Sequence, residues 1–212
     1  MTDTLIVMAP GALMSPQDFA AAGFDTDLAL HWPQAALIPA SIDVNQLDVD
    51  ACVATLHDQV LAIAAAHPGH RLVLGGISLG AAVSLQYARR YPAQVHGLCL
   101  LAPYPGSRIT TQAIRAAGGP GRWRLSEAQA HDAEFLLWQW MIAGHGELPL
   151  YLGYGENDRF ADGQGLMVEA MPGAIRHVIA GDHDWPTWQC LWQDFVARRP
   201  FVAPATTLRK AH

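Results

Sequence analysis

The chain is poor in charge, in cations and in cysteine, and each shortage removes a class of function. Only 15% of its 212 residues are Asp, Glu, Lys or Arg, against 51% hydrophobic. That balance can bury one sizeable core and excludes a solvated, disordered chain. Thirteen Lys and Arg face nineteen Asp and Glu, for a formal net charge of −6. The cations are scattered and form no basic stripe, so nucleic acid is not an expected partner. Three cysteines, Cys52, Cys99 and Cys190, show no CxxC spacing, which argues against a disulfide framework and a zinc site and fits a reducing cytoplasm. No run reaches about 18 uninterrupted apolar residues, and the acidic start MTDTLIVMAPG carries only a short apolar stretch. Neither a membrane span nor an export signal is expected. With no internal repeat and no low-complexity linker, residues 1–199 read as one domain, followed by a proline-broken tail, 200–212, expected to be frayed or surface-bound.

What is present is alternation. TLIVMA, AALIP, RLVLGG, VHGLCLLAP, LPLYLGYG and AIRHVIAG are short apolar runs of strand length. Between them lie helical patterns, the clearest at 48–67, where Val49, Cys52, Val53, Leu56, Val60 and Ile63 share one stripe before HPG ends it. Further helices are expected to about Gly23, over LGAAVSLQYARRY, around 165–171 and in a tryptophan-rich segment to about Arg199. Continuous apolar strands alternating with helices predict an α/β protein: a mostly parallel sheet of about six strands covered on both faces.

One corner in this pattern carries chemistry. In LVLGGISLGAAV a strand runs into Gly76, Ile77, Ser78, Leu79 and Gly80, and then a helix. A strand-to-helix turn this tight holds its central residue in a strained conformation and leaves no room for side chains two positions away on either side. It lifts the serine hydroxyl clear of the sheet, beside backbone amides at a helix N-terminus. A serine is a weak nucleophile at neutral pH, so the reading requires a histidine as base and a carboxylate to orient it. Asp158 in YLGYGENDRF and His183 in VIAGDHDWPTW each follow a strand, and strand C-termini of a parallel sheet share one edge. Glu156 and Asp162 stay open as alternative acids, while Asp182 and Asp184 are expected to bond locally. His177 falls within a strand and reads as structural; His67, His131 and His145 sit away from the required edge.

With APGA after the first strand, the ordered elements GGISLG, GENDRF and GDHDWPTW resemble the α/β-hydrolase superfamily, in a short version similar to small serine esterases and thioesterases, over nearly the whole chain. The resemblance implies a three-layer α/β/α sandwich, with Ser78 as nucleophile, His183 as general base then acid, and Asp158 as the orienting carboxylate. It implies an oxyanion hole from the amides of Ala12 and Leu79, although Pro10 stands where the family's first loop usually has histidine before Gly11. It implies no cofactor and no metal. In this superfamily the segment corresponding to 104–147 commonly carries a lid, and SEAQAHDAEFLLWQWMIAGHG, opened by Ser126 and Gln129 in capping-box spacing, predicts one helix there. That helix serves either as core packing or as a flap over an apolar acyl pocket.

The expected activity is hydrolysis of a small carboxylic ester or thioester through an acyl-enzyme. Leu13, Trp138, Trp140 and Trp185 are the candidate substrate contacts, though tryptophans after the histidine more often anchor packing. C–C hydrolysis or acyl transfer would use the same triad, and a non-catalytic ligand-binding module on the same fold is the reading from another class. The expected partner is a small-molecule acyl substrate, with a homodimer allowed.

Overall fold

The computed structural model describes residues 3–46, 48–144 and 148–201. Residues 145–147, at the end of the expected insertion, and 202–212 of the tail lie outside the described residues. Strands β1 (Thr4–Ala9), β2 (Ala35–Pro39), β3 (Arg71–Ile77), β4 (Gly97–Leu101), β5 (Leu150–Gly155) and β6 (Ile175–Ile179) pair in parallel in the order β2-β1-β3-β4-β5-β6. The four central strands β1, β3, β4 and β5 are almost wholly buried, as strands covered on both faces must be.

The order has a consequence for the site. The chain leaves β1 toward β2 and leaves β3 toward β4, so the connections after β1 and β3 diverge and open a crevice at the shared C-terminal edge. Helices α3 (Val49–Ala66), α4 (Leu79–Arg90) and α7 (Ala161–Ala170) connect strands in the direction β2 to β6, whereas α1 (Pro16–Ala21) and α2 (Phe24–His31) connect β1 back to β2. Right-handed crossovers put the two sets on opposite faces, and α8 (Trp185–Arg198) packs with α2. The α2–α8 contact centres on Trp192, whose ring stacks on Phe24 at 4.7 Å and whose Nε1 donates to the Phe24 carbonyl at 3.0 Å. Helix α3, with a mean hydropathy of 1.3 over 18 residues, is long and apolar enough to cross a membrane by composition. Here it turns Cys52, Val53, Leu56 and Val60 into the core.

Two helices were not anticipated by the residue pattern: α2, and α5 (Arg108–Ala116), which starts at Ser107 as N-cap. The single helix expected from Ser126 is also corrected. The Ser126–Gln129 capping box closes only a short turn at Glu127–Gln129, and α6 (Ala133–Ile142) starts afresh where the Asp132 carboxylate accepts from the amides of Glu134 and Phe135. An aspartate that captures those amides makes a helix start, so the residues before it leave the helix. The tail is not loose from its first residues either: Phe201 is buried against Gly97, where a Cβ would lie 2.6 Å from the phenyl ring.

Candidate active site

Ser78 sits between the end of β3 and the start of α4 with φ 53° and ψ −116°. A non-glycine residue held there costs on the order of 1 to 3 kcal/mol, so its surroundings must over-determine it. They do: its amide donates to Leu101 O at 3.1 Å, and its carbonyl accepts from the amides of Tyr104 and Ala82 at 3.0 and 3.2 Å. The two flanking glycines have separate reasons. A Cβ on Gly80 would lie 2.3 Å from Ala9 O and 2.4 Å from Pro10 O, and one on Gly76 would lie 2.5 Å from the Gly80 carbonyl carbon. The strand-to-helix turn, the elbow at Ser78, therefore presses directly on the loop after β1.

The other two groups arrive on loops tied to each other. Beyond β5 the Glu156 amide donates to Ile179 O at 2.8 Å and the Asn157 amide to Gly181 O at 2.9 Å, joining the β5–α7 and β6–α8 connections. That approach needs a bare Gly155, whose Cβ would meet Gly181 O at 2.3 Å. Asp158 and His183 are thereby fixed side by side. His183 Nδ1 lies 2.6 Å from Asp158 Oδ2, and its Nε2 lies 3.0 Å from Ser78 Oγ. Bonded so, Nδ1 donates to the carboxylate and Nε2 is left to accept the serine proton. The Asp158 side chain is fully buried. Burial pushes its carboxyl up, but hydrogen bonds from His183, the Phe160 amide and Gln164 Nε2 outweigh that and hold it below the usual carboxylate range. The imidazole is packed edge-on by Phe160 and Trp188, each at 5.2 Å between centroids.

It is Asp158, and neither alternative acid, that bonds His183. Asp162 pairs with Arg115 at 3.1 Å, and Glu156 is exposed. Asp184 caps α8 through the Thr187 amide and hydroxyl, and the Asp182 amide donates to Thr187 Oγ1. His177, on β6, lies 3.7 Å from Asp194.

Ser78, Leu79 and Ala12 border one cavity of about 410 Å³. The amides of Leu79 and Ala12 have no acceptor among the described residues, which leaves them available to an oxygen beside Ser78. The turn that presents Ala12 is held by Leu13, at φ 61°, whose amide donates to Asn45 Oδ1 at 2.9 Å. Most of the remaining wall is apolar, including Val83, Leu137, Trp138 and Met141, with Gln86, Tyr104, Glu134 and Arg159 as polar members. Burial, and secondarily the Glu134 carboxylate, pushes the Tyr104 phenol up.

Of the four candidate substrate contacts, Trp138 lines this cavity, buried, with Nε1 donating to Pro105 O at 2.8 Å. The other three are corrected. Leu13 is 93% exposed, because the left-handed turn that fixes its amide throws its side chain outward. Trp140 lies half-buried against the core, one residue off the inward face of α6. Trp185 packs edge-on against Phe19, Phe24 and Trp188 on the far side of the sheet. In the segment after β4, α6 buries Phe135 in the core and offers Leu137, Trp138 and Met141 to the cavity.

Residue pattern missed Phe160, Gln164, Tyr104 and Arg159. Phe160, two positions after Asp158, had a signal: an aspartate commonly bonds the amide two residues on. Gln164 had none, because only α7's placement shows that it faces Asp158. Among the described residues no group of three or more His, Cys, Asp and Glu side chains could hold a metal.

This architecture is shared with known proteins. Residues 42–129 match the family described as serine aminopeptidase, S33. No curated protein sequence matches the chain. Among solved structures, Est1E from Butyrivibrio proteoclasticus superposes with a TM-score of 0.68 at 11% identity, covering 94% of this chain and 87% of that one. The fluorophosphonate-binding serine hydrolase FphF of Staphylococcus aureus gives 0.66 at 13%, covering 92% and 83%. The S-formylglutathione hydrolase FrmB from Staphylococcus aureus gives 0.64 at 13%, covering 92% and 80%. The chain has the α/β-hydrolase fold in its minimal form.

Proposed function

We propose that this protein is a serine hydrolase that cleaves a small carboxylic ester or thioester through an acyl-enzyme on Ser78. The observation that carries the proposal is the unbroken line from Asp158 through His183 to Ser78 Oγ, ending at the wall of a largely apolar cavity.

In this reading Ser78 Oγ attacks the acyl carbonyl while His183 Nε2 takes its proton, and the ionised Asp158 stabilises the imidazolium. Charge developing on the carbonyl oxygen meets the amides of Leu79 and Ala12. His183 then returns the proton to the departing alcohol or thiol, and a second cycle with water as nucleophile releases the acid. Phe160 and Trp188 restrict the ring's motion, so little reorganisation accompanies each transfer. A C–C hydrolase or an acyltransferase would need the same relay, and no polar group in the cavity speaks specifically for either. A ligand-binding module without turnover would not require Asp158 to stay ionised in a buried place.

The test is a panel of matched acyl esters and acyl thioesters of increasing chain length, on wild type and Ser78→Ala. Hydrolysis of one series by the wild type and its loss in the folded variant is the expected result. Wild-type rates equal to those of Ser78→Ala on every substrate would remove the proposal.

A further inference from the structure

Among the described residues the cavity wall carries one cation, and its surroundings give it a direction. Arg159 follows the acid Asp158 directly; it is exposed at the cavity's edge, and its guanidinium lies 4.9 Å from the centroid of the Phe160 ring. No carboxylate pairs with it among the described residues, unlike Arg90, Arg115 and Arg198, which each hold an aspartate. Phe160 is also the ring that packs on His183, and Tyr104 meets it edge-on at 5.4 Å. The Tyr104 hydroxyl has no hydrogen-bond partner among the described residues, and Tyr104 borders the same cavity. A fork of N–H donors and a free phenol thus flank one ring, beside the imidazole.

The cavity's carboxylate is accounted for. Glu134 Oε2 accepts from the Ser107 amide at 2.8 Å and from Thr110 Oγ1 at 2.6 Å, which draws its charge toward the start of α5. An incoming anion would therefore be repelled from α6 and drawn to Arg159.

The imidazole fixes which half of a substrate meets Arg159. His183 must deliver its proton to the leaving atom, so the departing group lies on the imidazole's side of the carbonyl. Phe160 packs on the imidazole there, and Arg159 lies over Phe160. The acyl half is left to Val83, Leu137, Trp138 and Met141, which carry no charge. Resting on the hydrolase reading above, we propose that Arg159 recognises a carboxylate on the leaving group, so that the substrates are esters or thioesters of an anionic alcohol or thiol. The guanidinium suits a carboxylate because its N–H groups can bond both oxygens at once.

The experiment compares two acetate esters that differ in leaving-group charge, 4-acetoxybenzoate and its neutral analogue 4-acetoxybenzamide, on wild type, Arg159→Met and Arg159→Lys. The quantity read is the ratio of kcat/KM for the anion to that for the amide, which cancels effects common to both esters. In Arg159→Met the ratio should fall by about tenfold at low salt, the scale of one lost charge-assisted hydrogen bond, and mainly through KM. Arg159→Lys should keep it within about threefold, since the charge remains. Raising the salt should shrink the wild-type preference, because the group is exposed. A ratio unchanged in Arg159→Met overturns the proposal. So does a shift confined to a substrate with its carboxylate in the acyl half, such as 4-nitrophenyl hydrogen succinate against 4-nitrophenyl butanoate. A readout without turnover separates this from the hydrolase reading: NMR titration with 4-hydroxybenzoate against 4-hydroxybenzamide. Preferential binding of the anion that is lost in Arg159→Met supports the recognition even if no ester is cleaved. Equal binding of the two by the wild type refutes it.

Discussion

Gly80→Ala is the perturbation that separates a merely small residue from a required close approach. Gly80 lies in the first turn of α4, where alanine is normally the better residue by about 1 kcal/mol. Here its Cβ would fall 2.3 Å from Ala9 O and 2.4 Å from Pro10 O. Ordinary contact begins at 3.4 Å, so one backbone must retreat by roughly 1 Å, and both belong to the site: α4 begins next to Ser78, and Pro10 leads to Ala12. Overpacking of this kind costs about 1 to 3 kcal/mol, more where rigid backbone is the obstacle, which outweighs the helix gain. At about 2 to 4 °C per kcal/mol for a chain of this size, Tm should drop by several degrees. The catalytic loss should be larger in proportion, about 10²-fold in kcat/KM, because a shift near 1 Å misplaces the Ala12 amide relative to Ser78. Circular dichroism melts and hydrolysis of 4-nitrophenyl acetate measure the two effects. If the variant melts with the wild type and keeps kcat/KM within about threefold, the contact between elbow and first loop does not position the site.

Gly165→Ala is the opposite case: it lies inside α7 with only the Tyr154 hydroxyl near its Cβ, at 3.9 Å, and should stabilise by about 0.5 to 1 kcal/mol in urea melts. Trp138→Phe should alter acyl-chain preference while Trp140→Phe leaves it as in wild type, since of the two only Trp138 borders the cavity; chain-length series of kcat/KM distinguish them. Acid sensitivity should trace in part to Asp194. Burial pushes its carboxyl up, but hydrogen bonds from Arg198 at 2.5 Å and Tyr151 at 3.0 Å outweigh that and leave it below its ordinary value. A depressed carboxyl contributes stability above its unfolded pKa that is lost as pH falls through the folded one, so the gap between wild type and Asp194→Asn should stay constant down to about pH 5 and close only as pH falls through about 4 and below. A gap independent of pH would show that Asp194 acts through shape alone.

The strands were readable because each central one is buried on both faces and so appears as an unbroken apolar run. Their order was not, since β1 between β2 and β3 is set by crossover geometry rather than by any one segment. Ser78, Asp158 and His183 stood out because each sits at a glycine-marked strand end, and those glycines answer to backbone contacts now identified at Gly76, Gly80 and Gly155. Side-chain direction was the weak point. Trp138 and Trp140 lie two residues apart on one helix, and only the start of α6 at Asp132 decides which faces the cavity. Leu13 reads as an apolar residue near the site until its φ of 61° is known. Gln164 belongs to no motif, and its relation to Asp158 exists only in three dimensions; Arg159 falls within GENDRF, but only the structure shows its guanidinium over Phe160 at the cavity's edge.

The central claim is that Ser78 is a nucleophile activated by His183 and Asp158. It is tested most directly by intact-mass and peptide-mapping analysis after brief exposure to a fluorophosphonate. The account predicts one adduct per chain, mapped to Ser78, formed at a rate that falls by orders of magnitude in His183→Ala and in Asp158→Asn, on the order of 10⁴ in kcat for the equivalent change in the best-studied triad, and absent in Ser78→Ala. An unmodified wild type, or an adduct on any other residue that persists in Ser78→Ala, would contradict it.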